Sequence, residues 1–184
     1  MIIRPDYVIE NDLYNEALEY AENSKKFTSN RHDFHAGGFS NKKKKMFEGK
    51  LGEKAVKILF NDNGIYYEED KSSFDERDEY DFLLINDNES LKVDVKTRTE
   101  SFHVRTLEMV EQANNHPKDI YISVRLFRES NTVRLLGWFS YEDMINKNQI
   151  ENQGYLDNYV MYDKDLRPMA ELMNRVLIRF KKEK

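Results

Sequence analysis

The chain has 184 residues, no cysteine, 39% apolar and 34% charged side chains, and a formal net charge of −5. That size fits one domain able to bury a core without disulfides. The absence of cysteine rules out cysteine-ligated zinc, iron–sulfur clusters and thiol nucleophiles. There is no run of 18 apolar residues and no leader pattern at Met1–Asp6, so the reading is a soluble cytoplasmic protein without a membrane partner. Abundant asparagine and lysine suggest a bacterial or phage-encoded source. Residues 25–57 carry ten basic and three acidic side chains, and residues 58–91 two basic and eleven acidic. This segregation fits either two solvated surfaces or a phosphate-facing surface beside an acidic, metal-collecting site.

In chain order, Leu13, Ala17, Leu18 and Ala21 predict an amphipathic helix over 11–23. Asn23 to Asn41, with Gly37-Gly38, reads as a loop or basic arm. Lys42 to Asn61 reads as a second helix with Phe47, Leu51, Ala55, Ile58 and Leu59 on one face, ended by Asn63-Gly64. Ile65 to Tyr67 reads as a short strand. Tyr80–Ile85 and Leu91–Lys96 read as strands joined by the turn-forming residues 86–89. A helix is expected over 104–115, stopped by Pro117. Ile120–Phe127 and Thr132–Trp138 read as a hairpin, Tyr141–Ile145 as a helical turn or two, and Leu166–Phe180 as an amphipathic helix. Trp138, Tyr141, Tyr155 and Tyr159 read as core or interface aromatics. The expected fold is α/β, a mixed sheet of about five strands flanked by helices. It is read as a single domain with an N-terminal helix and arm (1–41), a core (42–138) and a C-terminal helical extension (139–184).

The middle hairpin carries the chemistry. A four-residue loop pairs Ile85 with Ser90, which sets Asp81 opposite Asp94 on one face, with Cβ atoms about 4.5–5.5 Å apart. Two carboxylates that close need positive charge between them. Mg²⁺ suits the position, with Mn²⁺ as a substitute, because it is hard and commonly held by one or two carboxylates plus water and phosphate. Alternation puts Lys96 on the same face, able to contact a scissile phosphate or orient a water, while Val93 and Val95 pack behind. The competing reading is an exposed face with ordinary solvated charges. Glu53 lies on the preceding helix in Gly49-Lys50-Leu51-Gly52-Glu53. Glycines inside a helix cost up to about 1 kcal/mol each, so these two imply close approach to the sheet, bringing Glu53 toward the aspartates. Alternatively, Glu53 is a surface residue paired with Lys57.

This arrangement resembles the PD-(D/E)XK nuclease superfamily, whose restriction-endonuclease-like core runs helix, three-stranded meander, helix, strand. The resemblance spans about half the chain. It rests on Glu53 in Gly-Glu-Lys-Ala-Val, Asp81 in Glu-Tyr-Asp-Phe-Leu-Leu, and Asp94-Val95-Lys96. Tyr80 stands where proline is usual, Asp94 where glutamate is most common, and Gln112 lacks the tyrosine four residues later that one branch carries. The resemblance implies Mg²⁺-dependent hydrolysis of DNA phosphodiester bonds. The metal would be bound by Asp81, Asp94, the Val95 carbonyl and Glu53, with Lys96 assisting.

Lys42, Lys43, Lys44 and Lys45 are candidate phosphate anchors. They crowd a helix N-terminus, where cations are disfavoured, which tilts the reading toward ligand binding over a solvated helix start. Arg31, Phe34 and Phe39 could stack on bases. Thr97, Arg98 and Arg105 follow the key strand and Gln112 lies on the next helix, as phosphate contacts or as surface residues. His32, His35 and His103 read as chance polar residues. The alternatives to an endonuclease are a catalytically silent nucleic-acid-binding or assembly protein on the same fold, and an acidic interaction domain. Double-strand cleavage by one site per chain would imply a homodimer, with the C-terminal helix as interface.

Overall fold

A computed structural model describes residues 1–24, 39–70, 79–152, 154 and 156–181. Its elements are β1 (Tyr7–Val8), α1 (Asn11–Asn23), α2 (Phe39–Asp62), β2 (Tyr67–Glu69), β3 (Phe82–Ile85), β4 (Ser90–Arg98), β5 (Arg105–Met109), α3 (Val110–Asn115), β6 (Ile120–Phe127), β7 (Thr132–Ser140), α4 (Tyr141–Lys147), β8 (Ile150–Asn152), β9 (Asp157–Tyr162) and α5 (Met169–Phe180). Arg31, His32, Phe34, His35 and Tyr155, singled out above, fall outside the described residues, as do the side chains of Phe39 and Lys42.

The expected α/β architecture is present, with a mixed sheet of six strands rather than five, in the order β1-β7-β6-β4-β3-β2. Only β4 and β6 run parallel; the other neighbours are antiparallel. The predicted sequence of helix, three-stranded meander, helix and strand is met by α2, β2-β3-β4, a crossover of β5 and α3 in place of a single helix, then β6. The even-numbered residues of β6 face a core shared with α1, α2 and α5: Ile122, Val124, Leu59, Val56, Ala17 and Met173 are all fully buried there.

Gly52 is where α2 touches the sheet. A Cβ added there would lie 2.0 Å from Thr97 Oγ1 and 3.0 Å from Val124 Cγ2. The expected close approach therefore holds at Gly52. It does not hold at Gly49, where an added Cβ would meet nothing within 4 Å.

Three parts differ from expectation. The 104–115 helix begins only at Val110; its first half is β5. Val104, Leu107, Val110 and Ala113 have helical spacing. Yet the residues that β5 buries are Thr106 and Glu108, 2% and 3% exposed. The 139–184 segment read as helical contains β8 and β9, which join β5 in a second sheet ordered β5-β9-β8. Strand β9 has no apolar–polar alternation because it is central and buried on both faces from Asn158 to Met161. The Ile65–Tyr67 strand begins at Tyr67, with Ile65 bridged singly to Lys181. Together with α3 and α4, the second sheet covers the other face of the first, around Tyr121 and Phe139, whose rings stack at 5.0 Å. Trp138 and Tyr159 are core, as expected.

Candidate active site

The hairpin register is the predicted one. Ile85 pairs with Ser90 and Phe82 with Val93. The turn is closed by Asn86 Oδ1, which accepts from the backbone N–H of Asn88 and Glu89 at 2.8 and 2.9 Å. Asp81 stands one residue beyond the last pair, donating its N–H to the Val93 carbonyl at 2.9 Å. Strand β4 runs on without β3 beside it, and the Asp81 carboxylate accepts from Val95 N–H at 2.6 Å. An acidic side chain thus substitutes for the missing strand partner.

The face carrying Asp94 and Lys96 looks toward the second sheet. Lys96 Nζ lies 2.8 Å from Asp94 Oδ2 and 2.5 Å from Glu108 Oε2. Glu108, brought by β5, was not anticipated; reading 104–115 as a helix hid it. Burial works against charge on Lys96, but the two carboxylates outweigh it and hold the ammonium well above the ordinary lysine range. Burial pushes the Glu108 carboxyl up despite Lys96. Aside from the Lys96 ion pair, buried Asp94 Oδ2 and Glu108 Oε1 have no hydrogen-bond partner among the described residues. The neighbouring Thr106 and Ser123 hydroxyls bond each other at 2.7 Å, tying β5 to β6.

On the α2 side, Glu53 pairs not with Lys57 but with Lys50, at 2.7 Å. Lys57 is instead held by Glu16 and Glu69. Lys50, which also sits 4.0 Å above the Tyr20 ring, is a second residue the sequence did not single out. Glu53, Lys50 and Asp81 line one small recess of about 90 Å³. Burial, then the Glu53 and Asp94 charges, raise the Asp81 carboxyl well above its ordinary value. Asp81 therefore feels the charge of both Glu53 and Asp94, with Glu53 and Asp81 lining one recess and Lys96 lining a larger cleft.

Among the described residues no three His, Cys, Asp or Glu side chains are grouped to hold a metal. The donor chemistry nonetheless suits Mg²⁺, which needs only one or two carboxylates and retains waters. Asp81 and Asp94 are all-oxygen donors, Asp94 Oδ2 has only the Lys96 ammonium beside it, and Asp81 is under carboxylate repulsion.

Lys96 and Val95 also line a cleft of about 610 Å³. Its other cations are Lys44 and Lys45 of α2, Arg98 and Arg105 flanking the β4–β5 loop, and Arg128; its carboxylates are Glu48 and Glu100. Four of the predicted nucleic-acid contacts thus meet beside Lys96. They are not equally available. Arg98 is buried, its guanidinium donating to Asp163 at 2.6 Å and to the His103 carbonyl at 2.9 Å. Arg105 pairs with Glu151, and Lys44 lies 3.9 Å from Glu48. Lys43 points elsewhere, to Glu22 at 2.6 Å, and Gln112 is not part of the cleft lining. Arg128, unflagged by the sequence, bridges Glu48 and Glu100 at 2.6 and 2.7 Å. No helix among the described residues is long and apolar enough to cross a membrane.

No family model and no curated protein matches the sequence. Two solved structures are similar. One is a bacterial homing endonuclease, 14% identical, TM-score 0.43, covering 70% of this chain and 90% of its own. The other is a nuclease from a fusselovirus, 14% identical, TM-score 0.40, covering 70% of this chain and 87% of its own.

Proposed function

We propose that this chain is a Mg²⁺-dependent DNA endonuclease acting through a PD-(D/E)XK-type site, with Mn²⁺ able to substitute. One observation carries the reading: the Lys96 ammonium is shared between a cation-lined cleft and the buried carboxylate of Asp94, whose neighbour Asp81 repels it. A phosphodiester in the cleft would lie against Lys96, with the acids behind it.

Asp81 and Asp94 would hold the ion with the Val95 carbonyl, and Glu53 would reach it through a water. When bound, the ion supplies a water of lowered pKa and charge to offset that developing on the phosphate. Lys96, kept protonated by its two carboxylates, would stabilise the same developing charge and help position the attacking water. Glu108 would fix where the Lys96 ammonium stands. Lys44, Lys45 and Arg105 would contact flanking phosphates, orienting the strand without reading its sequence.

The test is cleavage of covalently closed circular DNA with and without Mg²⁺, by wild type and by folded Asp94→Asn and Lys96→Gln proteins. Wild-type activity that requires the metal and falls at least 100-fold in both variants is expected. Variants cutting at the wild-type rate would show the site to be misassigned. Salt-dependent DNA binding by the wild type with no cleavage of any substrate would leave the silent-binding alternative.

A further inference from the structure

The loop from Thr99 to Val104, between β4 and β5, forms one wall of the cleft through Thr99, Glu100 and His103. It carries the most exposed aromatic among the described residues: Phe102 is 73% exposed, and Val104 two residues on is 52% exposed. A single exposed apolar side chain needs no explanation by itself. The bracing of this loop does.

Two guanidiniums converge on one carbonyl of it: Arg98 and Arg125 both donate to His103 O, at 2.9 and 3.0 Å. Arg128 donates to Glu100 at 2.7 Å and to the Thr99 hydroxyl at 2.8 Å. His103 N–H closes a turn on Glu100 O at 3.2 Å, and Asp163 N–H ties down Val104 O at 3.0 Å. The His103 ring meets the Phe102 ring edge-on, with centroids 4.6 Å apart. Two arginines thus fix the backbone of this loop and a third its side chains, while its tip exposes a benzene ring backed on one edge by His103. A pinned aromatic loses little conformational freedom when it docks, so most of its contact energy would survive as affinity.

The geometry points to Phe102 as a base-stacking wedge: DNA lying in the cleft is locally unstacked, and the Phe102 ring takes the place of a neighbouring base. This rests on the nuclease reading above and extends it to substrate shape. The cleft cations supply phosphate contacts that are indifferent to sequence. An inserted apolar side chain would favour steps that unstack cheaply, such as pyrimidine–purine steps, mismatches or branch points. A protein partner docking on the same loop would not need the adjacent cations.

The experiment uses duplexes carrying 2-aminopurine at successive positions, bound in Ca²⁺ to the full chain. Wild type is expected to brighten the probe at one step. Phe102→Ala is expected to abolish that signal and to weaken binding about 5- to 150-fold, the range for losing one stacked base. Phe102→Trp should retain both. Thermal unfolding midpoints equal to wild type establish that the variants are folded, as an exposed site should allow. If Phe102→Ala binds and brightens the probe like wild type, the wedge is wrong while the nuclease reading stands. If wild type itself shows no salt-dependent binding to any DNA, both fall together.

Discussion

Replacing Gly52 and Gly49 by alanine, one at a time, should have effects of opposite sign. Alanine is favoured over glycine in a helix interior by about 0.5–1 kcal/mol. At Gly49 nothing opposes this, because an added Cβ would meet no atom within 4 Å. At Gly52 the same methyl would meet Thr97 Oγ1 at 2.0 Å, Val124 Cγ2 at 3.0 Å and Thr97 Cβ at 3.2 Å. Rotating the threonine hydroxyl aside removes only the first contact. The other two lie on β4 and β6, so α2 must lift from both strands. Overpacking costs about 1–3 kcal/mol, and contacts this short place it in the upper half, about 2–3 kcal/mol, which leaves Gly52→Ala less stable by about 1–2.5 kcal/mol after the helix gain. In urea, with a slope of about 2 kcal/mol/M, its midpoint should fall by roughly 0.5–1.25 M while that of Gly49→Ala rises by roughly 0.3–0.5 M. Adding Thr97→Ala to Gly52→Ala should recover part of the loss. A Gly52→Ala protein at or above the wild-type midpoint, with an unchanged slope, would refute the close approach that holds Glu53 near the aspartates.

Two further outcomes are expected. Mg²⁺ at about 100 times its dissociation constant stabilises a protein by about 2.7 kcal/mol if bound only when folded, so the wild-type thermal midpoint should rise by roughly 5–10 °C. The Asp81→Asn/Asp94→Asn protein should not respond, and a wild type indifferent to Mg²⁺ and Mn²⁺ would overturn the metal assignment without reference to activity. Away from the site, Asp143 caps α4: it accepts from Ser140 N–H and Oγ at 2.9 and 2.8 Å and from Arg167 at 2.5 Å. Burial opposes its charge, but Arg167 and Ser140 prevail and hold it below the ordinary aspartate value of 3.8. A lowered folded pKa gives stability that is present above the ordinary value and lost as pH falls through the folded one. Asp143→Asn should therefore unfold about 1 kcal/mol more easily than wild type at neutral pH, with the gap closing below about pH 4 in denaturant titrations.

The part of the site legible in the sequence is the part fixed by local rules. A loop of set length determines strand register, and register alone put Asp81 one step beyond the Phe82–Val93 pair; the direct Asp81–Asp94 pairing expected from it does not form, because β3 ends at Phe82 and the Asp81 N–H turns to the Val93 carbonyl. Gly52 was readable only in part: the helix cost marked Gly49 and Gly52 alike, and packing against the sheet explains only Gly52. Glu108 was not readable, because β5 buries polar side chains and leaves apolar ones at helical spacing, reversing the usual signal. Lys50 escaped for another reason. Glu53 has lysines at both i−3 and i+4, and the choice between them depends on Glu16 and Glu69, which claim Lys57 from distant parts of the chain. Ion-pair partners across more than one element are a tertiary property.

The charge segregation of the sequence has the same character. The basic stretch of α2 and the acidic stretch after it fitted either two solvated surfaces or a phosphate-binding surface beside a metal site. In space much of the basic stretch is matched by acids of α1, of α2 itself and of β2. Lys54 and Lys57 are matched by Glu16 and Glu69, Lys50 by Glu53, and Lys43 by Glu22. Facing the cleft are Lys44 and Lys45 from the N-terminal part of the helix, joined by Arg105 and Arg128 from later in the chain, and of these Lys44, Arg105 and Arg128 also have carboxylates beside them. Salt bridges along α2 fasten that helix to α1 and β2, so neutralising them would loosen the frame around Glu53 more than it would weaken a phosphate contact. A functional cation here is thus one facing the cleft, whichever sequence block it comes from, and the net charge of −5 gives no measure of how many there are.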